Sequence, residues 1–129
     1  MRTWLAVAAL NGALAVALGA IGAHALGPNA SDAARATFET AVRYHFIHAL
    51  ALLGVAALVP QFPGGWGRRL LTVSGLAFVS GIVLFCGGLY ALAGLNVALG
   101  ARLAPVGGTL FIVGWLALAA SALTKPTRL

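Results

Sequence analysis

The stretch Phe38–Leu58, FETAVRYHFIHALALLGVAAL, decides how this chain is read. Its second half is apolar throughout. Its first half gathers Glu39, Arg43, Tyr44, His45 and His48 into about three helical turns. Such a run is a membrane-embedded helix, and ionisable groups inside one are expensive, so they require partners within the protein.

Composition supports lipid as the solvent. The chain has 129 residues, 61% of them hydrophobic and 8% charged. Soluble domains carry roughly a quarter charged residues, so this chain cannot cover a water-facing surface. Its length allows a single integral membrane domain, residues 1–129. The formal net charge is +6, which in a soluble protein would suggest nucleic acid. Here the basic residues fall at segment ends, where they set topology and meet lipid headgroups, so no nucleic-acid partner is expected. One cysteine, Cys86, excludes an internal disulfide framework and a CxxC site.

Outward from the central stretch, four spans are expected, at about 3–25, 40–59, 70–92 and 103–123. In the first, Ala8, Gly12, Ala15, Gly19 and Ala23 recur at mostly four-residue spacing, which lets helix backbones approach closely. A cleavable signal peptide ending at Ala23-His24-Ala25 is the competing reading, but the apolar run exceeds the roughly 7–15 residues of a signal core. Gly27-Pro28 stops the first helix, and Ser31 or Asn29 caps the second, which starts near Asp32. Asp32, Arg35, Glu39 and Arg43 form one charged stripe, with opposite charges at i, i+4 steps. Tyr44 and His48 lie on the other side, assigned to the bundle interior.

PQFPGGWG, Pro60 to Gly67, is a turn with an interfacial Trp. In the third span Cys86 and Tyr90 share a face. Gly94 to Arg102 reads as a short loop, and Pro105 as a residue of the fourth helix's first turn. The basic residues divide five against three: Arg2, Arg68, Arg69, Lys125 and Arg128 on one side, Arg35, Arg43 and Arg102 on the other. The positive-inside rule then places both termini in the cytoplasm. In that topology His24, Tyr44, His45, His48, Cys86, Tyr90 and Arg102 all fall in the outer half of a four-helix bundle, leaving an aliphatic inner half.

Four motifs carry a resemblance over nearly the whole chain: GAIGAHAL (Gly19 to Leu26), FETAVRYHFIHALALL (Phe38 to Leu53), LFCGGLY (Leu84 to Tyr90) and LAPVGGTLFIVGWLALA (Leu103 to Ala119). The chain resembles the small integral membrane proteins grouped as domain of unknown function 423, with eukaryotic transmembrane protein 256 among them. The resemblance implies four spans and, in bacteria, the inner membrane. It supplies no reaction.

Each polar residue carries a structural and a functional reading. His24 would either cap a loop carbonyl or ligate. His48 and Tyr44 would form a register-setting hydrogen bond or a relay pair, and His48→Leu is expected to disturb the protein more than His45→Leu. Cys86 reads as a packed small residue, since a thiolate needs a nearby cation. Glu39 and Arg43 read as an ion pair, or Arg43 and Arg102 as an anionic-headgroup site.

Three functions follow. The favoured one is a non-enzymatic bundle that binds lipid, another membrane protein or a second copy of itself. The second is a metal or haem site built from His24, His45 or His48 with Cys86. No HxxxH or CxxC spacing supports it, so no cofactor is expected. The third is a small transporter, for which the inner half offers no polar path. GxSxG, HExxH and paired carboxylates are all missing, so hydrolytic catalysis has no support.

Overall fold

Apolar helices separated by Gly, Pro and Asn turns build the bundle seen in a computed structural model that describes residues 1–126. Arg128, one of the charges used for topology, lies outside the described residues. Helix α1 covers Arg2–Ala25 and α2 covers Asp32–Leu58. The Ser31 hydroxyl starts α2 by accepting the Ala34 N–H at 3.1 Å, which satisfies one of the orphan donors of the first turn. A 3-10 turn, Val59–Gln61, carries Pro60 out of α2.

Helix α3, Gly65–Gly81, runs through one π-helical turn, Ile82–Cys86, into α4, Gly87–Leu95. These three pieces act as one membrane-length rod. Asn96 ends it in the left-handed region at φ 55°, with the Val97 N–H returning to the Ala91 carbonyl. Helix α5 covers Leu99–Ser121. It starts earlier than the expected loop allows, so Pro105 stands in its second turn rather than its first. The reason is packing: Gly100 is buried against Gly88, and a Cβ on Gly88 would sit 2.8 Å from the Gly100 carbonyl oxygen. That contact draws residues 99–102 into the helix. The cost is one backbone donor, lost at Pro105 close to a helix end.

The four spans are antiparallel. The chain start, the Pro60–Gly64 turn and Thr124 share the terminal end, where Thr124 meets Gly67 and Trp4 lies over Gly75. The loops at 26–31 and 96–98 share the distal end. Helices α1 and α2 pack as one pair, and α3 and α5 as the other. Leu52, Val55, Leu71 and Phe78 fill the seam between the pairs and are wholly buried. The outside is equally apolar: Leu10, Leu50, Val83, Ile112 and Leu116 are each more than 60% exposed. Water would not tolerate that surface, and a bilayer requires it. Arg69 covers the face of the exposed Trp66 at 5.4 Å, an aromatic and basic pair suited to the interface at the terminal end.

Candidate functional site

Helix α2 is the hub of the polar interior. His48 Nδ1 lies 2.7 Å from the Tyr44 carbonyl oxygen, one turn earlier. Its Nε2 receives the Trp115 indole N–H at 3.1 Å. A carbonyl only accepts and an indole N–H only donates, so these two partners hold His48 neutral with its proton on Nδ1. The ring also lies flat on Phe111, 3.5 Å between centroids and 8° between planes. These contacts fasten α5 to α2.

His45 makes a second fastening. Its Nε2 lies 3.2 Å from Asn11 Oδ1, and its Nδ1 lies 3.0 Å from the Tyr90 hydroxyl. The Asn11 amide is oriented by its Nδ2, which donates to the Val7 carbonyl at 2.9 Å. Asn11 Oδ1 therefore accepts from His45 Nε2–H, and the Tyr90 hydroxyl donates to Nδ1. One chain of hydrogen bonds thus ties α4, α2 and α1. All four imidazole nitrogens of the two histidines are engaged, which leaves no free lone pair for a metal.

The sequence-predicted residues do not form one cluster. His45 and Tyr90 meet. Tyr44 contributes its carbonyl to His48, while its ring packs on Phe85 at 4.8 Å and is 40% exposed. Cys86 is buried in the apolar core. His24 is exposed at the end of α1, and Arg102 is exposed on the first turn of α5. The confinement of the polar groups to the outer half also fails. Trp115 stands about 24 Å along α5 from its distal end, and Asn11 about 14 Å along α1 from its terminal end. The network therefore crosses the middle of the bundle. The reason lies in the partners: His48 reaches Trp115, about four turns into α5, and His45 reaches Asn11, in the terminal half of α1. Among the described residues, no three His, Cys, Asp or Glu side chains gather as metal ligands.

Asn11 and Trp115 were the partners that residue-by-residue reading missed. Asn11 is the one amide in an apolar helix, which is a visible signal. Trp115 gave a weaker one, because Trp is common in membrane proteins.

The charges gather elsewhere, at the distal end. A cavity of about 470 Å³ opens between α1 and α2, with Arg35, Glu39 and Arg43 on one wall and Gly19, Gly22 and Ala23 on the other. Arg35 donates to the Gly27 carbonyl at 2.6 Å, which holds it at the rim. The expected Glu39–Arg43 ion pair is not formed, and Arg102 does not line the cavity. The Phe38 ring forms the cavity's inner boundary. Gly22 makes room for it, since a Cβ there would run into the ring. Beyond Phe38 lies a second cavity of about 420 Å³ between α1 and α4, lined by apolar side chains and Tyr90. Phe38 and Tyr90 pack together at 5.0 Å.

Comparison with known proteins gives a consistent picture. The family described as "Protein of unknown function (DUF423)" matches residues 18–108. The UPF0382 membrane protein YwdK of Bacillus subtilis is 36% identical over 122 residues, 95% of this chain and 97% of the relative. A UPF0382 membrane protein of Staphylococcus epidermidis is 38% identical over 92% of this chain and 93% of its own. The UPF0382 inner membrane protein YgdD of Escherichia coli is 37% identical over 88% of this chain and 84% of its own. No solved structure matches the chain. With four apolar spans in the fold and relatives alike over most of their length, this chain belongs to the DUF423 family of small integral membrane proteins.

Proposed function

We propose that this protein is a non-enzymatic, lipid-binding bundle of the inner membrane, with both termini in the cytoplasm. Its distal cavity takes the phosphate of a lipid headgroup. The observation that carries the reading is the wall of that cavity: Arg35 and Arg43, two turns apart on α2 with Glu39 between them, face the small residues of α1. Guanidinium groups match phosphate oxygens with paired donors. The Gly and Ala of α1 leave room for the glycerol backbone beneath. The two histidine fastenings supply rigidity and are not part of a reaction, because each imidazole is already saturated.

Native mass spectrometry of the detergent-solubilised protein tests this. Dioleoyl phospholipids should remain bound and dioleoylglycerol, which lacks phosphate, should not. Arg43→Gln should lower phospholipid occupancy severalfold. Equal retention of both lipids, or indifference to Arg43, would reject the reading. Orientation is tested in a Cys86→Ala background: Asn29→Cys should react with an impermeant maleimide on intact cells, and Thr124→Cys should not.

A further inference from the structure

Resting on the phosphate-binding reading, the structure points to a more definite ligand: we infer that the lipid carries a primary ammonium beside its phosphate, and that one of its acyl chains passes Phe38 into the second cavity.

The first argument is the placement of Glu39. It lies between Arg35 and Arg43 at four-residue steps on one helix face, in the same cavity wall. Both arginines are within reach of an ordinary i, i+4 pairing. Neither takes it: Arg35 is committed to the Gly27 carbonyl, and Glu39 makes no hydrogen bond or ion pair among the described residues. A carboxylate facing a purely anionic headgroup would repel it, a poor arrangement for a phosphate site. A headgroup with a phosphate and an ammonium on a short linker satisfies all three charges, the ammonium donating to Glu39 and the phosphate accepting from Arg43 and from the Arg35 N–H groups that the Gly27 carbonyl leaves free.

The second argument is the shape of the space. The charged cavity and the apolar one share Gly22, Leu26 and Phe38 as lining, so they lie on the two sides of one aromatic ring. The second cavity is walled by Leu18, Ile21, Ala91 and Leu95, side chains that suit a hydrocarbon chain and no headgroup. A water-soluble phosphoamine would leave this cavity unfilled, whereas a phospholipid fills both.

The test uses the full chain in detergent and three probes: dioleoyl phosphatidylethanolamine, dioleoyl phosphatidylglycerol and glycerophosphoethanolamine. Occupancy is read by native mass spectrometry. The wild type should prefer the ethanolamine lipid to the glycerol lipid by about fivefold, the scale of one partly screened ion pair. Glu39→Gln should abolish that preference without unfolding the protein, because Glu39 is exposed and has no partner to lose. Ala91→Phe, which narrows the second cavity, should weaken both lipids alike. Glycerophosphoethanolamine should fail to displace either lipid. Equal binding of the two lipids by the wild type, or a preference that survives Glu39→Gln, would overturn the ammonium assignment while leaving the phosphate reading in place. Displacement by glycerophosphoethanolamine would overturn the acyl-chain assignment. If Arg43→Gln changes nothing, the phosphate reading beneath both is lost.

Discussion

His45 and His48, one turn apart on α2, are held in opposite tautomers. His48 carries its proton on Nδ1, because Tyr44 O can only accept and Trp115 can only donate. His45 carries its proton on Nε2, because Asn11 Oδ1 accepts there and the Tyr90 hydroxyl serves Nδ1. Nitrogen-15 NMR of histidine-labelled protein should therefore show one imidazole of each kind. Tyr90→Phe should move the His45 resonances and leave those of His48 in place.

By their hydrogen bonds, His45 joins three helices, α1, α2 and α4, whereas His48 joins two, α2 and α5. His45→Leu should thus destabilise the bundle at least as much as His48→Leu, against the ranking expected from sequence. Each lost hydrogen bond between membrane helices costs on the order of 0.6 kcal/mol, and stranding the partner groups adds to it. Unfolding the detergent-solubilised variants in denaturant gives the comparison directly.

Asn11 and Tyr90 do not touch each other; both act through His45. The double variant Asn11→Leu, Tyr90→Phe should cost less than the sum of the single ones, by about half a kcal/mol, since either change already loosens the imidazole. Strict additivity would mean that the chain of hydrogen bonds is not one unit.

Gly88 and Gly100 bring the backbones of α4 and α5 together, so a side chain at Gly88 meets a carbonyl rather than a movable group. Gly88→Val should destabilise the bundle by about 1–3 kcal/mol, as overpacking does. Gly12→Ala is the control: a Cβ there has nothing within 4 Å, and the melting temperature should hardly change.

Cys86 is fully buried in the apolar core. A membrane-permeant maleimide should leave it unmodified in the folded protein and label it quantitatively once the bundle is unfolded. Rapid labelling of the native protein would place the thiol on an accessible surface.

Long apolar runs, their Gly and Pro stops, and the Ser31 cap are local facts of covalent order, and they determine four antiparallel membrane helices independently of how those helices pack. The charged stripe Arg35–Glu39–Arg43 was legible for the same reason, since helical periodicity alone puts those residues on one face. Three matters were left to the tertiary structure. It chose Asn11 and Trp115 as the histidines' partners, it left Glu39 unpaired, and it pulled the start of α5 back to Leu99 through the Gly88–Gly100 contact. The second depends on the loop that brings the Gly27 carbonyl to Arg35, and the third on the close approach of two consecutive helices, whereas the first depends on the axial offset between helices distant in sequence. In a bilayer that offset is set by side-chain packing and interhelical hydrogen bonds rather than by hydrophobic burial, so no single segment carries it.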